Sequence, residues 1–454
     1  MLHAPLNASK SKLLLAKSNK LVIIMNDLMN KFLAEKEKKW QNFEEKYGKE
    51  LCDALKEWHA LYTDEVVEWL AKLYDAKIGG FYYSESARDN ATVEYRESTY
   101  DLLPDVESTN QALCFLQSAN LVDDFDGSYA KALPEWMKKD IGNWVYNLQD
   151  EDGFYYHPQW GKNIPAHRRG RDLAWSRSIL RNLGIEPKYA SLIDKKKSSV
   201  QTNTPAVPEH LSSPEKFDEF LRGLDFGGHS YGVGNQLVAQ ADQIKAVGLM
   251  DQLIAFLNEK QHPENGYWHD TPGYTAVNGL LKISGCYNIG EAPFPNATVA
   301  AKSAIEAITS DEEFFIVCDV YNTWFTVDNL ADNLRKYGGE EGKAQAEKMI
   351  SDLTAVAAEG MRASAKKLAK FKKPGCSFSF LRDYSSEVSQ SMPVALYHST
   401  EGDVNATLIA VSGTLEKCMD ALGVKPEDRV PIFGRPHFER FMEIVTENKR
   451  KAEN

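Results

Sequence analysis

Pro104-Asp105-Val106-Glu107, running on into Ala112-Leu113-Cys114-Phe115-Leu116, opens an apolar stretch with polar groups. The same order returns at Arg171-Asp172-Leu173-Ala174-Trp175, His229-Ser230-Tyr231-Gly232, Tyr274-Thr275-Ala276-Val277-Asn278, Cys318-Asp319-Val320-Tyr321-Asn322 and Glu401-Gly402-Asp403-Val404-Asn405. Recurrence on this scale marks a repeat architecture, in which each unit buries an apolar face against the next. The expected fold is all-α, an (α/α)6 toroid of helical hairpins. A helix that is polar only at its start points that start at a pocket, so one mouth of the ring is the expected ligand site.

Outer helices are expected between the inner ones, over Pro134 to Leu148, Pro214 to Leu221, Lys245 to Leu257, Pro295 to Ile308 and Ala344 to Phe371. Several carry Pro near the first turn, where its missing N–H costs nothing. Upstream, Asn19 to Trp58 reads as one long charged helix, and Thr63 is placed to cap the helix that follows. The expected organisation is an N-terminal helical arm or outer helix over 1–60 and a single toroid domain over 61–454. The N-terminal helix is also a candidate surface for a homo-oligomer. Asp194 to Glu215, with Lys195-Lys196-Lys197, reads as a solvated loop. Gly375 to Leu381 alternates like a short strand ahead of the polar run Ser385 to Ser391, a candidate lid over the mouth.

The 454 residues carry a formal charge of -12, an acidic balance that argues against nucleic acid or an anionic membrane as partner. Met1-Leu2-His3-Ala4-Pro5 lacks the basic and apolar regions of a signal peptide, and Leu21 to Met25 is too short to span a bilayer, so a cytoplasmic location is expected. The six cysteines lie scattered with no C-x-x-C pair and read as buried thiols. His262 and His269 have no partner at ligand spacing, and Gly232-Val233-Gly234 follows no strand. Neither a metal nor a cofactor is expected.

Gly79-Gly80-Phe81-Tyr82-Tyr83, Gln149-Asp150-Glu151-Asp152-Gly153-Phe154-Tyr155-Tyr156 and Gln261-His262-Pro263-Glu264-Asn265-Gly266-Tyr267-Trp268 each place aromatics after a Gly. The Gly allows φ > 0 after a helix, and the aromatics plug the gap between hairpins. These turns resemble the Gln-plus-Gly-aromatic repeat of the α/α toroid enzymes, which include terpene cyclases, protein prenyltransferase β subunits, and many glycoside hydrolases and polysaccharide lyases. The resemblance covers most of the chain and implies the ring. It leaves the reaction open, because one fold hosts many chemistries.

Cleaving a glycosidic bond needs one carboxylic acid to protonate the leaving oxygen and one carboxylate as base or nucleophile. Asp105, Asp172 and Asp319 are the candidate catalytic acids. Around them Tyr83, Glu107, Tyr156, Arg168, Arg171, Trp175, His229, Tyr231, Trp268, Asp270, Tyr274, Tyr321, Asn322, Glu401 and Asp403 are candidate substrate contacts, since sugar hydroxyls need acceptors and sugar faces need flat apolar walls. Helical spacing sets Glu107 in a different direction from Asp105. The expected function is a carbohydrate-active enzyme hydrolysing an oligosaccharide or small glycoside. A lyase acting on a uronate-containing glycan is the first alternative, with Arg168, Arg169 and Arg171 neutralising the carboxylate and His229 or Tyr274 as base. A terpene cyclase-like enzyme is another, although Asp123-Asp124-Phe125-Asp126 matches neither acid motif of such families. A non-catalytic ring that only binds is the last.

Overall fold

A computed structural model describes residues 6–89, 92–194 and 203–453, with the side chains of 6–24 excepted. Lys195-Lys196-Lys197 and Met1-Leu2-His3-Ala4-Pro5 fall outside the described residues. The chain is predominantly helical, consistent with the all-α expectation, and adds three two-stranded antiparallel ladders: Tyr74–Asp75 with Gly80–Phe81, Thr92–Tyr95 with Ser98–Asp101, and Val388–Ser389 with Met392–Pro393.

Six core helices correspond to the six repeated stretches. They are Val106–Ser118, Ala166–Asn182, Phe226–Val238, Tyr274–Gly290, Cys318–Tyr337 and a sixth that runs from Val404–Leu408 through the π-helical turn Ile409–Gly413 into Thr414–Ala421. Each packs on its successor, and the sixth returns to the first. Their starts are tied together by hydrogen bonds. Asp105 N donates to the Phe81 carbonyl and Val404 N to the Tyr83 carbonyl. Phe380 N donates to Asp403 Oδ2 at 2.7 Å, and Val317 N donates to the Phe380 carbonyl at 2.9 Å. Asn278 Nδ2 donates to Asp319 Oδ1 at 2.8 Å, and Asp270 N reaches the Gly227 carbonyl at 3.1 Å.

Asp105, Asp225 and Asp403 occupy the N-cap of the first, third and sixth core helices and accept from Ser108 N, Gly228 N and Ala406 N, satisfying amides that the helix leaves without partners. The second helix begins at Ala166, so Asp172 lies in its second turn rather than at its start. The third begins at Phe226 and is kinked at His229.

Glycines let the core helices approach. A Cβ on Gly279 would stand 2.3 Å from Ser230 Oγ, and one on Gly170 would stand 2.2 Å from the Ala239 carbonyl oxygen. Along the seam between the fourth and fifth helices, Asn322 donates to Asn278, Asn329 to Ser284 and Asn333 to Asn288. Within the fifth helix Asn329 and Asn333 therefore face the fourth helix, whereas Asp332 pairs with Arg335 and Lys336 on the surface.

Three expected helices are broken. Gly48, at φ 91°, ends the long helix Leu6–Tyr47 before Lys49–His59; Gly248, at φ 80°, separates Ala241–Ala246 from Met250–Lys260; and Gly339–Ala355 ends at Val356 before Ala357–Leu368. Lys49–His59 packs on Ala357–Leu368, while Leu6–Tyr47 packs on Lys49–His59 and on the C-terminal helix Arg435–Glu453. Thr63 does not cap: its hydroxyl donates to Glu65, and the helix Glu65–Lys72 has no side-chain cap.

Two of the three Gly-aromatic turns share one wiring. Gln149 Nε2 donates to the carbonyls of Gly153 and Tyr189, and Gln261 Nε2 to those of Gly266 and Pro295. Phe81, Phe154 and Tyr267 are buried plugs. Among the described residues, no helix is long and apolar enough to cross a membrane.

Replacing Gly170 by Ala should test the close approach. Helix propensity alone would favour Ala by about 1 kcal/mol. The clash with a backbone carbonyl, which cannot swing aside, is expected to lower stability instead by about 1–3 kcal/mol in urea denaturation.

Candidate functional site

Arg168 is fully buried, and carboxylates from two core helices surround its guanidinium. Nη2 and Nε hold Asp172, one turn on, at 2.7 and 3.1 Å, while Nη1 holds Glu107 Oε2 at 2.8 Å and Asp105 lies 3.6 Å from Nη2. Asp105 sits outside the helix as its cap, so it and Glu107 reach the same guanidinium, contrary to the divergence expected from helical spacing. The Trp160 ring covers the guanidinium at 4.8 Å.

The polar run expected to act as a lid is a hairpin. Val388–Ser389 and Met392–Pro393 pair across Gln390 and Ser391, both at positive φ. Ser389 Oγ donates to Glu107 Oε2 at 2.6 Å, and Arg168 donates to the Ser389 carbonyl at 3.4 Å. Gln159 anchors the far strand through the Pro393 carbonyl at 2.7 Å. The stretch 375–381 forms no strand of its own; it makes isolated bridges from Phe378 to Lys372 and from Leu381 to Ile316. Beneath the hairpin a small apolar cluster gathers Tyr83, Leu102, Trp160, Ile164, Met392 and Val394.

One guanidinium cannot neutralise three carboxylates. Burial pushes Asp172 from 3.8 up to about 6 against the pull of Arg168, and burial likewise raises Glu107. Burial works against the Arg168 charge, but Asp172, Glu107 and Asp105 outweigh it and hold the group above the ordinary arginine value. Next to the cluster, burial lifts Asp403 to about 7, against the hydrogen bonds it accepts from Ala406 and Phe380.

Asp319 stands apart from the Arg168 cluster. Its carboxylate accepts from Phe315 N, Ile316 N and Asn278 Nδ2, and burial raises its pKa. The structure thus brings together Asp105, Asp172, Glu107 and Arg168, with Tyr83 and Asp403 adjoining. Glu401 serves the backbone, accepting from Ser86 N and Ser84 Oγ. Tyr156 donates to Asp152 at 2.7 Å. Trp268 is buried between Tyr287 and Phe294 with Nε1 on the Leu257 carbonyl, and so is part of the core rather than a ligand wall.

His229 is exposed on Asp225, and Asp270 is exposed as well. Tyr274 accepts from Lys367 at 2.8 Å, and Asn322 is buried in the fourth-to-fifth helix seam. The Asp123–Phe125 turn lies beyond the far end of the first core helix, where Asp123 lines a cavity of about 350 Å³ with His59, Glu416 and Arg429.

A second cavity, of about 290 Å³, lies among the core helices and is lined by Arg171, Trp175, Asp242, Lys282, Phe325 and Asn329, among others. Arg171 donates to Asn235 at 2.8 Å and lies over the Trp175 ring at 5.3 Å. Tyr231 lies beside Asn235 and Cys318, and Tyr321 meets Phe325 in a tilted ring contact at 5.4 Å. Lys282, Asn235, Ser389 and Trp160 were not singled out from sequence. Each sits mid-helix or in a loop with no motif, and only tertiary packing brings it to the site.

Comparison with known protein families and with curated proteins finds no match for this chain.

Replacing Arg168 by Met leaves buried carboxylates uncompensated and is expected to cost about 3–5 kcal/mol in denaturant unfolding. Asp172 keeps its proton in the folded chain up to a higher pH than in the unfolded chain. Its contribution to stability is therefore full below about pH 4 and lost as pH rises through about 6. Asp172→Asn should flatten the fall in stability across that window, measured by urea unfolding at a series of pH values.

Proposed function

We propose that the cycle of core helices closes as an (α/α)6 toroid, and that the chain is a carbohydrate-active enzyme cleaving glycosidic bonds of an oligosaccharide or small glycoside by hydrolysis. The observation that carries this reading is the pair Glu107 and Asp172, two carboxyl groups raised toward neutrality on one buried guanidinium at the shared end of the helices. A carboxyl with a pKa near the working pH can both give and take a proton, which is the requirement for general acid catalysis. With Arg168 fixing both groups, one protonates the leaving oxygen and the other serves as base or nucleophile.

Asp105 and Asp319, proposed from sequence as further acids, have their oxygens committed to backbone and side-chain donors, and in this reading they position the helices. Ser389 covers Glu107, so substrate reaches the pair when the 388–393 hairpin lifts, as lids do in many enzymes. The rings of Trp175 and Phe325 on the adjoining cavity suit a sugar face. A second reading, elimination from a uronate, draws on Arg171 and Lys282 in that cavity, with Tyr231 close by as base. His229 and Tyr274 lie away from these cations, held by Asp225 and Lys367.

The test is a panel of neutral and uronate-containing oligosaccharides, read for new reducing ends and for absorbance of unsaturated uronate. Hydrolysis predicts reducing ends without the absorbance, and a loss of about 10²–10⁴-fold in Glu107→Gln and Asp172→Asn. A gain in absorbance moves the assignment to elimination. No product from any sugar overturns both readings.

A further inference from the structure

Lys282 is the one charged side chain of the fourth core helix, and it lies on the wall of the 290 Å³ cavity. Its position depends on a glycine. A Cβ on Gly234 of the third helix would stand 2.7 Å from Lys282 Cβ, so the absence of that side chain lets the lysine stem pass between the two helices. Among the described residues its ammonium makes no hydrogen bond and no ion pair, while nearly all its charged neighbours are already satisfied. Glu107 is bound to Arg168 and Ser389, and Arg171 gives one donor to Asn235. Cys318 lies beside Tyr231. Asp242, the remaining acid on the lining, is exposed at the edge.

We propose that Lys282 and Arg171 form a binding subsite for a single carboxylate of a small ligand, with Asn235 holding Arg171 in place and Trp175 as its apolar wall. A half-buried ammonium with no counterion pays part of its desolvation with nothing in return, and an anion in the cavity would supply the missing partner. Two cations converging on one cavity are satisfied by an anion with two oxygens, and the guanidinium still has donors in the geometry that a carboxylate takes in pairs. A cavity of about 290 Å³ holds one sugar-sized unit. Within the proposed function this makes the substrate an acidic sugar. The subsite rests on the cavity of that reading but not on bond cleavage.

The charge state supports this. Burial, with repulsion from Arg171, lowers Lys282 to about 8, and Cys318 and Glu107 oppose that shift. An anion placed against it restores its proton, so binding near pH 8 takes up a proton from solution.

The experiment is calorimetric titration of the full chain at pH 8 in two buffers of different ionisation enthalpy, with D-glucuronate, D-glucose and inorganic phosphate as probes. Glucuronate is expected to bind with uptake approaching about half a proton per site, and glucose at least about tenfold more weakly. Lys282→Met should abolish the uptake and weaken glucuronate at least about tenfold, whereas Lys282→Arg should keep the affinity and lose the uptake. Equal affinity for glucuronate and glucose, uptake that persists in Lys282→Met, or no binding of any probe would overturn the subsite. Phosphate binding more tightly than glucuronate would overturn its assignment to a carboxylate. The wild-type proton count stands even if the Met variant misfolds. Because no turnover is measured, failure here is separate from failure of the hydrolytic reading.

Discussion

A fully buried guanidinium holds the polar end of this protein together. Arg168 lies on the second core helix, Glu107 and the cap Asp105 come from the first, and Ser389 comes from a hairpin more than two hundred residues away in sequence. Withdrawing one cation and three carboxylates from water is expensive, and the geometry recovers that cost only while every donor keeps its acceptor. The need for all these partners at once fixes the first helix against the second and seats the hairpin. Burial of the cluster, with the neighbouring carboxylates adding to it, raises Asp172 and Glu107 toward neutrality.

The third, fourth and fifth core helices meet through small residues and amides. Gly279 against Ser230, and Asn278, Asn329 and Asn333 across the fourth-to-fifth seam, give close contact with satisfied polar groups. The aromatic turns close the outside, with Gln149 and Gln261 repeating the same pair of hydrogen bonds in two units. The interior between these seams keeps a cavity, and Lys282 and Arg171 charge its wall.

The helix starts were legible because capping is local. Asp105 and Asp403 precede apolar runs, and the structure shows both accepting from the amide three residues on. Gly153 and Gly266 were legible for the same reason, since φ > 0 after a helix demands glycine. The sequence did not reveal that Asp172 sits a turn inside its helix, paired with Arg168, or that Asp319 reaches back to Phe315 and Ile316. A cap and a mid-helix acid look alike until the helix start is known. Trp268 follows the same Gly as a ligand-facing aromatic would, yet long-range packing against Tyr287 and Phe294 buries it. Lys282 carried no signal at all, because a lone lysine in an apolar helix shows its surroundings only after the helices are assembled.

The central claim is that Glu107 and Asp172, freed from the hairpin, face the bond that breaks. Its most direct test is a crystal structure of the Glu107→Gln variant with a bound oligosaccharide that the wild-type chain cleaves. The account predicts the scissile oxygen within hydrogen-bond reach of Asp172 or residue 107, with Ser389 withdrawn from the cluster. An oligosaccharide bound away from Arg168, with the hairpin still seated on Glu107, would contradict it.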